Sequence, residues 1–322
     1  MKKLNVIRPA LIILCVSVGT SWNAWAQEKF PSRPIDMIVN FGPGGGADQL
    51  GRVVAKLLEP VLGVAVPVSN VVGAAGNPGL VKVSTAQPDG YTLGTLTGFS
   101  IASWAAGMGR LTVNDFAYLG VVQFSPSMLF VATDSPFKNY QQLLEHAKAN
   151  PGKIKVATAG FGTPDDFAVK YLATKGFQMV NAPYAKPGER YTSVLGKHTD
   201  VLYEEPGDVA QFLAAKQMRP IVVFGTARHP EFPDVPASAE FGHNIDLPNW
   251  RAIVTSTKVS KERLDVLSTA LHKITETDDW KKFCAQTYTC IPAMNPAESK
   301  KFVQKNFDDT VNFLKESGTQ IH

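Results

Sequence analysis

Three consecutive glycines, Gly44, Gly45 and Gly46, stand between an apolar run at 35–41 and a helix-patterned run at 46–62. A strand, a side-chain-free turn and a helix in that order leave backbone N–H groups uncovered at a helix start, where the dipole favours negative charge. The turn formed by Pro43, Gly44, Gly45, Gly46, Ala47 and Asp48 is therefore expected to hold an anion. The helix is predicted because Leu50, Val53, Val54, Leu57, Leu58 and Val61 recur on one face. Pro60, near its end, is out of place in a helix interior.

Residues 1–26 have a basic start (Lys2, Lys3, Arg8), an apolar centre and the small-residue close Ala24-Trp25-Ala26, the pattern of a secretory signal peptide. The apolar centre is shorter than the ~20 residues of a spanning helix. Three of the positive charges behind the formal net charge of +4 belong to this leader, which leaves +1 for the remainder. With no Lys/Arg cluster either, nucleic acid and anionic membranes are poor partners. Beyond Cys15 in the leader, Cys284 and Cys290 form an even pair in an oxidising compartment, so a disulfide is expected, two free thiols being the other reading. No metal site is expected, since no His or Cys partner lies near them.

About 296 residues follow the leader, enough for two domains of roughly 100 to 200 residues. Strand and helix patterns alternate, which predicts a parallel sheet covered on both faces. One strand, 91–96, ends at Thr97-Gly98-Phe99-Ser100, and in open α/β sheets such carboxyl ends carry the ligand. The opening pattern then returns. A strand at 154–158 leads into Ala159-Gly160-Phe161-Gly162, and a helix follows with Thr163 as N-cap, Pro164 at its first position and Asp165 and Asp166 in its first turn. Those acids could equally satisfy the helix end with no ligand. A strand at 249–255 reads as a return to the first domain, so the expected lobes are 27–126 with 248–322, and 127–247.

Catalytic signatures are missing. Gly42-x-Gly44-x-x-Ala47 is a loose dinucleotide fingerprint, but Pro43 interrupts it and 64–70 carries no ribose-binding acid. No Lys-Ser/Thr follows the glycines, no Gly-x-Ser-x-Gly elbow occurs, and the six histidines are scattered. A secreted α/β enzyme is the competing class. The favoured reading is a pair of anion cradles facing each other from two lobes, binding a carboxylate with no cofactor and no catalytic residue. Phe41, Phe99, Phe161, Tyr184 and Tyr203 lie near these loops and could stack on an aromatic ligand.

Several segments, in order, resemble one family: Phe30-Pro31-Ser32-Arg33-Pro34-Ile35, Pro43-Gly44-Gly45-Gly46-Ala47-Asp48, Gly73-Ala74-Ala75-Gly76-Asn77-Pro78-Gly79, Pro88-Asp89-Gly90-Tyr91-Thr92-Leu93, Phe161-Gly162-Thr163-Pro164, Pro183-Tyr184, Asp200-Val201 and Phe232-Pro233-Asp234-Val235-Pro236. They are similar to the Bug family, the solute receptors of tripartite tricarboxylate transporters. The resemblance implies a type II-like, two-lobe α/β periplasmic binding protein of the Venus-flytrap kind. It also implies capture of a small carboxylate for a membrane permease, and no catalysis; a monomer is expected. It places the ligand carboxylate on main-chain groups and waters at the Pro43 to Asp48 and Phe161 to Pro164 loops; together with the residues read above, the expected site is Phe41, Pro43, Gly44, Gly45, Gly46, Ala47, Asp48, Phe99, Ser100, Phe161, Gly162, Thr163, Asp166 and Tyr184. The chain departs from the family in having Ala185-Lys186 after Pro-Tyr and two acids, Glu204 and Glu205, before Pro206. Glu205 either points elsewhere or receives a hydroxyl or ammonium donor. The ring-bearing loops make the chain similar to receptors for aromatic dicarboxylates such as terephthalate; aliphatic di- or tricarboxylates and acidic amino acids are the alternatives.

Overall fold

The computed structural model describes residues 29–318, so the expected signal peptide lies outside the described residues. The chain opens with β1 (Asp36–Val39), α1 (Gly46–Leu62), β2 (Val68–Asn70), α2 (Asn77–Ser84), β3 (Thr92–Thr97), α3 (Gly98–Ala105) and β4 (Phe116–Ser125). It continues through β5 (Met128–Ala132), α4 (Tyr140–Ala149), β6 (Lys155–Thr158), α5 (Pro164–Thr174), β7 (Val180–Pro183), α6 (Pro187–Leu195), β8 (Val201–Glu204), α7 (Ala210–Ala214) and β9 (Met218–Val223). Then come β10 (Asn249–Ser256), α8 (Lys261–Thr275), α9 (Asp278–Thr287) and α10 (Pro296–Glu316).

Two five-stranded sheets result, in the orders β2-β1-β3-β10-β4 and β7-β6-β8-β5-β9, one for each lobe. Neither is purely parallel, contrary to the expectation from alternating strands and helices. In the first sheet β10 runs antiparallel to both neighbours, and in the second β5 does. The reason is topological: parallel neighbours need a helical crossover, whereas β5 and β10 are the strands by which the chain enters one lobe and re-enters the other.

In α1, Leu50, Val54, Leu57 and Leu58 are buried against the first sheet. Gly51 lets the helix approach it closely, since a Cβ there would sit 2.5 Å from Val39 Cγ2. Pro60 falls in the last turn, and Gly63, in the left-handed region at φ 72°, ends the helix by donating to the Glu59 carbonyl. Two elements depart from the sequence reading. The polar tip Thr97 to Ser100 is not a loop but the start of α3, with the Thr97 hydroxyl accepting from the Ser100 N–H. Helix α9, which has only a short apolar stripe, was not expected.

Cys284 and Cys290 are bonded, with their Cα atoms 5.2 Å apart. The turn they close lies along the outer edge of β4, where the Phe124 N–H donates to the Thr289 carbonyl at 2.7 Å. Closing so small a loop contributes about 2 kcal/mol through the unfolded state. Reduction, or the double change Cys284→Ser and Cys290→Ser, should therefore lower the melting temperature by ~4 °C. An unchanged melt in reductant would show that the covalent link adds nothing.

Helix α10 joins the two lobes. Its Phe302, Val303 and Phe307 pack on the core of the first sheet, while Phe307, Val311, Phe313 and Leu314 pack on the cluster that includes Val131, Tyr140 and Tyr171 of the second lobe. Among the described residues no helix is long and apolar enough to cross a membrane.

Candidate functional site

The two Gly-rich turns are built alike. In the first, Asp48 of α1 accepts from the Gly44 N–H at 3.0 Å, from Asn70 of the neighbouring edge strand at 2.9 Å, and from Arg52 one turn on. In the second, Asp166 of α5 accepts from the Gly162 N–H at 2.9 Å, from Asn181 of the edge strand at 2.7 Å, and from Lys170 one turn on. Burial opposes the charge on Asp48, but the bonds from Arg52, Gly44 and Asn70 prevail and hold its carboxyl below the usual range. Asp165 adds a bond from the Ala159 N–H. The Thr163 hydroxyl does not cap its helix as expected; it donates to the Gly160 carbonyl at 2.6 Å and bonds Asp165. Each turn is thus folded by acids of its own helix.

Between the turns lies a cavity of about 30 Å³, walled by Phe41, Gly45, Gly46, Ala47 and Phe99 of the first lobe and by Ala159, Pro187, Arg190, Glu205 and Asp208 of the second, with Thr97, Glu204, Asn249 and Arg251 completing it. That is room for one or two waters and for nothing larger with the lobes as they stand.

Charges crowd this cavity. Arg251, on β10, bonds Asp208 at 2.6 Å, Glu205 at 3.3 Å and Gln123 at 3.3 Å. Glu205 also accepts from Ser127 and from Asn249, each at 2.8 Å. Asp208 accepts from the Gly46 N–H at 3.1 Å, so its carboxylate spans the two lobes. Arg190, on α6, pairs with Glu204. Four acids, counting Asp165, therefore surround two guanidinium groups, all at most 6% exposed. Burial pushes Asp165 and Asp208 up to about 6, with Arg190 and Arg251 offsetting part of it. Burial, with the charges of Glu204 and Asp208, pushes Glu205 well above the usual range. Three polar atoms of the cavity-lining side chains, the Nε of Arg190, the Nε of Arg251 and the Oδ1 of Asn249, are buried without a partner.

A raised carboxyl pKa means that the folded form binds a proton which the unfolded chain has already released. Its stabilisation is complete below the unfolded pKa near 4 and is lost as pH rises through the folded value. For Asp208 the window runs from about 4 to about 6. Buried His229 and His243, both depressed by burial, act in the opposite sense over nearby pH, so the expected signal is a difference. Wild-type stability relative to Asp208→Asn should fall as pH rises from 4 to 7 in paired thermal melts. A pH-independent difference would contradict it.

Of the residues expected at the site, Phe41, Gly45, Gly46, Ala47, Phe99 and Glu205 line the cavity, and the rings of Phe41 and Phe99 meet edge to face with centroids 6.3 Å apart. The others do not line it. Pro43, Gly44 and Phe161 face solvent, Phe161 being 61% exposed. Ser100 is engaged with Asn40 and the Ala75 carbonyl. Gly162 abuts Met108 of the first lobe, Tyr184 packs at the edge of the second core, and Asp48, Thr163 and Asp166 fold their own turns. Arg190, Asp208, Asn249 and Arg251 carry no motif and were not foreseen. A signal existed for Arg251, a lone charge inside the otherwise uncharged, fully buried strand β10.

A family model described as the tripartite tricarboxylate transporter family receptor matches residues 50–319. The chain belongs to that family. The receptor is 25% identical over 305 residues to BugT of Bordetella pertussis strain Tohama I, covering 92% of this chain and 93% of that one. Among solved structures it is similar to the periplasmic binding protein BugD, at 25% identity and a TM-score of 0.83, covering 90% of this chain and 99% of that one. Its fold also matches that of MatC (Rpa3494) from Rhodopseudomonas palustris with bound malate, at 19% identity and a TM-score of 0.81, covering 88% and 100%. The family is one of receptors, BugD is a periplasmic binding protein, and the two-lobe fold is shared with the solved structures.

Proposed function

We propose that the receptor works in the periplasm, captures a small dicarboxylate between its lobes and delivers it to a membrane permease. The observation that carries this reading is the pair of buried guanidinium groups, Arg251 on one lobe and Arg190 on the other, each with an unpartnered Nε–H at the same cavity. A guanidinium fork suits a carboxylate bidentately, and one fork per lobe suits a ligand with a carboxylate at each end. The proposed lobes are 27–126 with 248–322, and 127–247. Phe41, Gly45, Gly46, Ala47, Phe99 and Glu205 would meet the ligand, while Asp48 and Asp166 hold their loops in shape. The Phe41 and Phe99 rings favour a flat aromatic dicarboxylate, with terephthalate as the first candidate.

A second reading has its own support. The surplus of buried acids and the unpartnered Asn249 Oδ1 would suit a ligand that adds an ammonium group to its carboxylates, as an acidic amino acid does. A melting panel of terephthalate, succinate, malate, glutarate and glutamate separates the possibilities, since ligand at ~100 times its Kd adds about 2.7 kcal/mol. No shift with any of them would sink the carboxylate reading. Terephthalate no better than succinate removes the aromatic candidate, and glutamate well above glutarate establishes the second reading.

A further inference from the structure

Four carboxylates bond the backbone of the two Gly-rich turns, and three of them are local. Asp48 reaches back four residues to Gly44, Asp165 six to Ala159, and Asp166 four to Gly162. These close their own turns and stay with them whatever the lobes do. Asp208 is different. It comes from the other lobe, 162 positions away in sequence, to accept the N–H of Gly46 at the first position of a 17-residue helix. The same oxygen accepts from Arg251 at 2.6 Å. A helix-terminal N–H and a guanidinium on one carboxylate is the set of contacts that a ligand's carboxylate would seek there.

Resting on the carboxylate reading of the cleft, we propose that Asp208 is an internal stand-in for the ligand, a specificity-determining side chain that the incoming carboxylate must displace from Gly46 and Arg251. The space supports displacement over coexistence: a single added Cβ on Gly46 would already lie 2.0 Å from Asp208 Oδ1, so two carboxylates cannot share the position. Electrostatics agree, because Glu204, Glu205 and Asp208 offer oxygens within 4.8 Å of one another with Arg190 and Arg251 as the neighbouring cations. An ionised Asp208 is held there against its buried neighbours. The consequence is a threshold. Only a ligand carrying a full carboxylate can replace both bonds, while esters and amides of the same shape offer too little to dislodge the resident group.

The test uses the mature protein, wild type, Asp208→Asn and Asp208→Ala, with terephthalate and malate as calorimetric probes and amide exchange at Gly46 followed by NMR without ligand. The expected result is graded. Asp208→Ala, which empties the position, binds the better probe at least tenfold more tightly than wild type. Asp208→Asn, which removes the charge but keeps an acceptor for the Gly46 N–H, falls between them. Exchange at Gly46 accelerates at least tenfold in the Ala variant. If both variants gain equally, cleft charge alone is responsible and displacement is wrong. Binding no tighter in Asp208→Ala, or unchanged exchange at Gly46, also overturns the proposal. Faster exchange with no probe binding to any protein overturns the carboxylate reading and, with it, the displacement. Should Asp208→Ala fail to fold, Asp208→Asn must still bind more tightly than wild type; if it does not, the proposal fails.

Discussion

Replacing Arg251 by methionine should lower the melting temperature at neutral pH by ~10 °C and abolish binding. The substitution keeps most of the side-chain volume in a fully buried strand, so a cavity is not the issue. What it removes is the cation between Glu205 and Asp208, which are 0% and 5% exposed. Removing one partner of a buried ion pair costs about 3–5 kcal/mol because the other charge stays behind in low dielectric, and each kcal/mol shifts the midpoint by about 2–4 °C for a domain of this general size. The stranded acids can take up protons, so the deficit should shrink at pH 5. Scanning calorimetry at pH 5 and 7.5 reads both effects. A variant that melts with wild type at pH 7.5 would mean that the two carboxylates are already protonated there and Arg251 holds little.

Gly46→Ala should weaken ligand binding at least 100-fold while leaving the fold intact. Locally the change is benign, since Gly46 begins α1 with no left-handed requirement and alanine is the better helix former. The penalty lies between the lobes. A Cβ there would lie 2.0 Å from Asp208 Oδ1 and 2.3 Å from Arg251 Nη2, so it fills the place that the resident carboxylate holds and that a ligand carboxylate bound to Arg251 would take over. Gly44 is the control. It is in the left-handed region at φ 84° with nothing within 4 Å of a new Cβ, so Gly44→Ala pays about 1 kcal/mol of backbone strain and little affinity. Titration calorimetry together with small-angle scattering separates the cases. Equal affinities for the two variants would refute a closed cleft packed against Gly46.

The glycines, the apolar periodicity of α1 and the repeated strand-turn-helix were readable because each is a local pattern with one physical solution. The two lobes followed from the return strand read at 249–255, which is β10. The antiparallel strands were not readable, since nothing in β5 or β10 records which way its neighbour runs. The cleft was half readable. Glu205 was marked as one of two acids before Pro206, but its partner Arg251 lies 46 positions away and Arg190 carries no motif. Ion pairs between lobes leave no periodic trace. In both turns acids of the following helix take up backbone N–H groups that the sequence reading offered to an anion, the alternative that the capping pattern of Asp165 and Asp166 had left open.

Helix α10 lies along both cores, packed on the first lobe near Phe302 and Val303 and on the second near Leu314. A cleft that opens around such a tie cannot simply gape, because separating the lobes along their line of centres would strip one end of the helix from its apolar bed. A twist about the helix would keep both beds in place, and it is expected to move Gly46 and Asp208 far more than Phe307. Shortening the chain before Val311 would then turn a pivot into a tether, and the lobes would lose their common axis before either lost its own core.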